Sequence, residues 1–268
     1  FYMGDQWVGE NAPDGVPKPQ INIIRRQVDY KVATIMGNGM SLSFSNAEFK
    51  DRALADFTEK ITAPLNNYIA KEWERNSMDD RLWQCSQDAC ISGAVGIYSY
   101  LDDKEEAITC ELKSNTEILF ADEQEKDIQK QKFIILPFRR PVHEVRAEAK
   151  ANGVEDYKLQ SIVADDEREV GDYAKTEIDA KGEEDGKCLC LLKLYKDKDG
   201  KVCMRKSTRT VVYQPEVCTE LELYPIAWLT WNPIKGSARG KGDVVEWIPN
   251  QVEINKNEAK RAVAVMMG

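Results

Sequence analysis

An α+β fold is predicted from three features of the sequence. Apolar residues recur at helical spacing through the first hundred positions, short β-prone runs separated by turn signals follow from Ala107 to Thr230, and one long helical stretch closes the chain. Helices come first, then strands, then one helix, without the regular βαβ alternation of a nucleotide-binding sheet. The strands are therefore expected to pair antiparallel.

The elements read as follows. Residues 1–20 hold Gly4, Gly9, Pro13, Gly15, Pro17 and Pro19 with Phe1, Tyr2 and Trp7, the composition of an extended arm anchored by aromatic rings. Ile21, Ile24, Val28, Val32 and Ile35 predict a helix that ends at Gly37-Asn38-Gly39. Met40–Phe44 alternates like a short strand. Ser45-Asn46-Ala47-Glu48 is a capping-box pattern opening a long helix through Phe49, Leu54, Phe57, Ile61, Leu65 and Trp73, which Pro64 is expected to kink or split. A further helix is predicted from Met78 to Gly93, continuing into Ile97-Tyr98. Ala107–Leu112, Thr116–Phe120, Lys132–Pro137, Lys187–Tyr195, Lys201–Arg205, Arg209–Tyr213 and Tyr224–Thr230 read as strands. Asp197-Lys198-Asp199-Gly200 supplies a hairpin turn. Pro141–Ala151 reads as a short helix, and residues 155–186 as a charged loop or insertion. The last helix is expected over Val244–Met267.

The chain has 268 residues, enough for one large domain or two small ones. Mean hydropathy is −0.53, and no apolar run approaches the ~18 residues of a membrane helix. Ile91–Tyr98 is interrupted by Gly and Ser. No basic segment precedes an apolar one at the start, so no secretory signal is visible. The net charge of −9 argues against a protein that wraps tightly around nucleic acid, because such binding is built on phosphate neutralisation. It does not argue against nucleic acid passing by. The chain opens on Phe1 and stops at Gly268 directly after a helical stretch, and so reads as a piece of a longer polypeptide.

Chemistry-bearing motifs are sparse. The seven cysteines are Cys85, Cys90, Cys110, Cys188, Cys190, Cys203 and Cys218; the odd number predicts free thiols in a reducing setting. Cys188-x-Cys190 has the wrong spacing for a zinc knuckle and sits in a run that reads as a buried strand. His143 is the only histidine and falls early in a short helix, as an ordinary surface residue. Gly37-x-Gly39 and Gly240-x-Gly242 lack the further residues of a dinucleotide or phosphate loop. The acidic pairs Asp79-Asp80, Asp102-Asp103, Asp165-Asp166 and Glu183-Glu184 lie in polar surroundings that would not raise a carboxyl pKa. Arg25-Arg26 and the group Lys235, Arg239 and Lys241 are the densest basic stretches, and neither makes a patch. No catalytic residue, cofactor site or metal site is expected.

The last helix combines two faces. Ile248, Val252, Ala259, Ala262 or Val263, and Met266 make an apolar stripe; Glu253, Lys256, Asn257 and Lys260 make a polar one. The helix either packs on its own domain or on copies of itself, with Ala259, Ala262 and Ala264 permitting close approach. Periodicity does not separate the two.

At these residues the chain resembles the portal proteins of tailed bacteriophages. Gly240-Lys241-Gly242-Asp243-Val244-Val245-Glu246-Trp247-Ile248-Pro249-Asn250-Gln251-Val252-Glu253-Ile254-Asn255-Lys256 is similar to a portal signature in which a Gly-x-Ser-Asp-like turn opens a helix carrying Gln and, four residues on, Asn. Gly240, Asp243, Gln251 and Asn255 fit this pattern; Gly242 stands where Ser is commoner. Tyr224-Pro225-Ile226-Ala227-Trp228, Phe1-Tyr2-Met3-Gly4-Asp5-Gln6-Trp7, Pro19–Ile24 and Asp127–Ile135 with Arg139-Arg140 resemble further portal segments in the same order. No single motif is specific; the collinear set is.

The resemblance implies a structural protein rather than an enzyme. Portal subunits form a dodecameric ring at one capsid vertex, where the terminase motor docks and drives double-stranded DNA through the channel, and where head-completion proteins later plug it. It implies that residues 1–242 are a wing-like α+β domain and that 243–268 begin a stem helix, with clip, second stem helix and crown beyond this sequence. Self-association, capsid contact, a virion location after assembly in the bacterial cytoplasm, and no cofactor or membrane follow as expectations. Glu253, Lys256, Asn257 and Lys260 become candidates for channel-facing or inter-subunit positions. The other readings are a different structural component of a phage head–tail connector and a metal-dependent hydrolase using the scattered acids.

Overall fold

A computed structural model describes residues 1–7, 16–45, 52–102, 107–165 and 186–267. Among them the order is α1 (Ile23–Met36), α2 (Arg52–Arg75), α3 (Met78–Ser92), β1 (Ala94–Asp102), β2 (Ala107–Ser114), β3 (Leu119–Phe120), β4 (Phe133–Pro141), α4 (Val142–Ala151), α5 (Asp156–Leu159), β5 (Lys187–Lys196), β6 (Val202–Thr208), β7 (Val212–Cys218), β8 (Ile226–Thr230), β9 (Asn232–Pro233), β10 (Gly240–Lys241) and α6 (Val244–Met267). The fold is α+β: helices at the start, antiparallel sheets, and a long final helix. No helix of the described residues is long and apolar enough to cross a membrane.

The chain divides into two compact units. The first comprises Phe1–Asn115, Ile226–Lys235 and Arg239–Gly268; the second comprises Thr116–Pro225 and Gly236–Ala238.

In the first unit α1, α3 and the start of α6 enclose Ile24, Val28, Val32, Cys90 and Val244, with Phe1, Tyr2, Trp231, Trp247 and Ile248 packed around them. The apolar positions of α1 recur every four residues, which places them on one stripe. The aromatic arm is anchored as its composition predicts: Tyr2 donates to Asp29 at 3.3 Å, and Trp7 Nε1 donates to the Pro19 carbonyl at 3.1 Å. A three-stranded sheet, order β2-β1-β8, packs Val95 against Cys85 and Ala89 of α3.

Helix α3 ends where Gly93 adopts φ 95° and returns its N–H to the Ala89 carbonyl at 2.8 Å. The predicted continuation of this helix through Ile97-Tyr98 is corrected: these residues lie in β1, whose β-branched and aromatic run begins as soon as the left-handed glycine turns the chain. The carbonyls left open at the end of α3 are taken up across the unit. Asp243 N–H donates to Cys90 O at 2.9 Å, and Asn115 Nδ2 donates to Ser92 O at 3.1 Å. The approach is close enough that a Cβ on Gly242 would overlap the Ile91 carbonyl oxygen.

In the second unit the sheet order is β3-β4-β5-β6-β7, antiparallel throughout. One face of β5 buries Cys188, Cys190, Leu192 and Leu194. Helix α4 lays Val142, Val145 and Ala149 over Cys188, Cys190, Val211 and Tyr213, so the Cys-x-Cys pair is core, as its setting in the strand suggests.

Other expectations are corrected. Pro64 does not split α2, which runs unbroken from Arg52 to Arg75. Met40–Phe44 forms no strand; Phe44 instead exchanges two hydrogen bonds with the Asn66 amide, at 2.7 and 3.2 Å. The strand expected over Arg209–Tyr213 starts at Val212 and runs to Cys218. Thr208 closes a turn onto Val211 first, and Pro215 is tolerated because β7 is an edge strand. Within residues 155–186, Asp156–Leu159 is a helical turn, and 166–185 lie outside the described residues, as does most of the capping box at 45–48. The expectation of free thiols fails for one pair. Cys203 and Cys218 face each other in the β6–β7 register and are disulfide-bonded, while Cys85, Cys90, Cys110, Cys188 and Cys190 are free. Sequence spacing could not reveal a pairing that depends on strand register.

Gly242→Ala is expected to lower unfolding free energy by about 2–3 kcal/mol, since the colliding atom is backbone and cannot rotate away. Urea denaturation of the two proteins measures this.

Candidate functional site

Several of the residues that carry the portal resemblance, Gly240, Gly242, Asp243, Gln251 and Asn255 with Phe1 and Gln6, meet at the root of α6. Asp243, immediately before the helix, is buried and nearly enclosed by donors. Its Oδ2 accepts from Lys31 Nζ at 2.6 Å and from Trp231 Nε1 at 2.9 Å; its Oδ1 accepts from Asn232 Nδ2 at 2.8 Å. Lys31 also lies 4.9 Å above the Trp247 ring, so one cation holds the carboxylate and the first turn of α6 together. Burial works against the Asp243 charge, but the donors from Lys31, Trp231 and Asn232 outweigh it and hold the carboxyl below its ordinary value. The nearby Cys90 thiol is pushed up to about 11 by burial, reinforced by the Asp243 carboxylate, and is therefore an unreactive core group.

Two turns further on, Gln251 and Asn255 lie on the buried side of the helix. Gln251 Oε1 accepts from the N–H groups of Ile23 and Ile24 at 3.0 and 3.4 Å. These are the open donors at the start of α1, and Asn22 Oδ1 takes the next one, from Arg25, at 2.9 Å. Since a backbone N–H only donates, the amide orientation follows from the network. Gln251 Nε2 donates to Ile21 O at 2.6 Å and to Asn255 Oδ1 at 2.8 Å. Asn255 Nδ2 then reaches Gln6 O at 3.1 Å, and Gln6 Nε2 donates to Phe1 O at 2.7 Å. A chain of side-chain amides thus runs from α6 to the aromatic arm.

The apolar stripe expected on α6 is corrected by this network. Val244, Gln251, Asn255 and Ala259 form the buried line, Ile248 and Val252 flank it, and Met266 is 71 % exposed. Glu253, Lys256, Asn257 and Lys260 all lie on the exposed side. Ala262 and Val263 are half-buried, and cover is lost in the last turn, where Val265 and Met267 are 76 % and 83 % exposed. Gly240 and Gly242 serve close backbone approach, so the family-motif positions are structural groups within this unit. Where the portal pattern commonly has Ser, the Ile91 carbonyl leaves this chain no room for a side chain.

Sequence reading missed Lys31, Trp231 and Asn232 as partners of Asp243. Asn22 as an N-cap and Gln6 beside the aromatics were the available signals. The remaining candidates stay apart: His143 is exposed on α4, and Asp79 and Asp80 are exposed in the first turn of α3, where their charge suits the helix N-terminus. In the second unit Asp165 pairs with Arg139 at 2.9 Å and sits 3.9 Å from Arg209, an ion pair rather than a poised base. No protein-family model matches the chain, and no curated protein sequence matches it.

Two outcomes are expected. Gln251→Ala should cost about 2–3 kcal/mol, because it strands buried N–H groups of α1 and the Ile21 carbonyl; chemical denaturation reads this directly. The Asp243 contribution should be complete above the unfolded carboxyl value of about 3.9 and lost as pH falls toward the lower folded value. Asp243→Asn should therefore be less stable than the parent at pH 7, and the gap should narrow as the pH approaches 2 in a series of thermal melts.

Proposed function

We propose that this chain belongs to a portal-type ring subunit through which double-stranded DNA is packaged by a terminase motor and later ejected. The supporting observation is the build of α6. Its root is locked by a buried charge and a buried amide chain, its middle turns present Glu253, Lys256, Asn257 and Lys260 to solvent, and its last turn carries apolar residues without cover in the described residues. A helix held at one end and open at the other suits packing against further copies around an axis, and a heterologous contact closes into a ring when its rotation divides a full turn. Asp243, Gln251 and Asn255, which carry part of the portal resemblance, build the root.

The acidic balance suits this role. Each Lys–phosphate contact adds counterion-release affinity, which resists sliding, so a net charge of −9 favours passage over grip. The role needs no nucleophile and no bound nucleotide, because ATP hydrolysis belongs to the motor.

Native mass spectrometry and negative-stain imaging of the chain extended to its natural C-terminus test the reading. Rings of a dozen or so copies with a central hole are the expected result. A full-length monomer or dimer with a folded core overturns it. Lys256→Glu and Lys260→Glu should leave stability within about 0.5 kcal/mol, as exposed changes do, while altering ring yield or DNA packaging in an infection assay.

A further inference from the structure

The second unit holds a cluster that the proposed function does not use. Cys203 on β6 is fully buried, and Cys218 opposite it on the edge strand β7 is exposed. Asp197 stands at the head of the β5–β6 turn. One oxygen of its carboxylate and the two sulfurs all lie within 4.8 Å of one another. Glu216, two residues before Cys218 on the same strand, brings Oε1 to 3.5 Å from the Cys218 sulfur. The Asp197 side chain is held in place, since its Oδ1 accepts from Asp199 N–H at 2.9 Å and Lys201 N–H at 2.8 Å.

A disulfide makes little use of these carboxylates. Its sulfurs carry no charge and donate no proton. Two thiolates beside the Asp197 carboxylate form a different chemical object: a three-ligand set, its fourth position open to water, for a borderline-soft divalent cation such as Zn²⁺ or Cd²⁺. In tetrahedral zinc sites the metal–sulfur distance of ~2.3 Å puts two sulfurs about 3.8 Å apart. Facing residues on antiparallel strands reach that separation by side-chain rotation, without a change of register.

We propose that the Cys203–Cys218 disulfide masks a divalent-metal site, and that reduction exposes it as Cys203, Cys218 and Asp197. A small-molecule thiol attacks the exposed Cys218 sulfur, forms a mixed disulfide there and releases Cys203 as a thiol. A second thiol displaces Cys218. The protein gains two electrons and two protons, and the reductant leaves as its own disulfide. One divalent cation then binds both sulfurs and displaces two protons, while the Asp197 carboxylate supplies an oxygen ligand. The two states exclude each other, so the site couples metal uptake to the surrounding thiol poise. The edge position of β7 gives both reductant and metal access from solvent. This inference stands independently of the ring reading.

The test compares zinc bound to the intact chain before and after reduction with a phosphine, by native mass spectrometry and by competition with a chromophoric chelator. Reduction should add one zinc ion, and removal of zinc followed by oxidation should restore the disulfide. Asp197→Asn keeps both cysteines and should weaken zinc binding at least tenfold, with disulfide formation retained. The double variant Cys203→Ser, Cys218→Ser should take up no additional zinc. Equal zinc content before and after reduction overturns the proposal. So does uptake by the double-serine variant, which would place the metal on the remaining cysteines, or indifference to Asp197→Asn. If the double variant fails to fold, cadmium–thiolate absorption of the reduced parent and of Asp197→Asn decides the matter.

Discussion

The Asp243 carboxylate is the interaction on which the first unit depends. It is a buried charge, and a buried charge is tolerated only when paired and hydrogen-bonded. Here the donors come from Lys31 on α1 and from Trp231 and Asn232 next to β8, while the Asp243 N–H binds the end of α3. One residue therefore specifies where α1, α3 and the strand segment stand relative to the first turn of α6. Hydrogen bonds to charged groups contribute about 1.5–3 kcal/mol each, and losing the carboxylate would also strand the Trp231 and Asn232 donors. An apolar residue at this position would not order the same set of partners.

The amide chain through Gln251 and Asn255 does a second job. An apolar helix face can rotate or slide by a fraction of a turn at modest cost. Amides that must meet the N–H groups of Ile23 and Ile24 and the Ile21 carbonyl cannot, because a misaligned buried amide costs about 1–3 kcal/mol. The rotational setting of α6 follows, and with it the exposure of Glu253, Lys256, Asn257 and Lys260. The link from buried polar groups to an exposed polar face is geometric: residues on one side of a helix can be aimed only by fixing the other side.

The five-stranded sheet shows the complementary case, in which register creates chemistry. Cys203 and Cys218 are fifteen positions apart and carry no recognisable metal or disulfide spacing. Strand pairing makes them neighbours, and closing a loop of that size stabilises the chain by about 3 kcal/mol on the loop-entropy account. Cys188 and Cys190 have the more suggestive spacing, yet α4 seals them in the core. Spacing along a strand says which face a residue takes; it does not say what lies across from it.

The sequence by itself determined the α+β class, the limits of α1 and α6, the β5 core strand and the polar side of the last helix, because all of these rest on local periodicity and turn chemistry. It also singled out Gly240, Gly242, Asp243, Gln251 and Asn255, though not their work. Tertiary structure alone decided that Ile97 and Tyr98 join a strand, since Gly93 turns the chain under α3. It decided that the buried line of α6 is centred on amides rather than aliphatic residues, that Asp243 meets Lys31 across more than two hundred positions, and that two of seven cysteines pair. The reason is the same in each case. A hydrogen bond, a close backbone approach or a disulfide is made between residues distant in sequence, and only the folded chain brings them within reach.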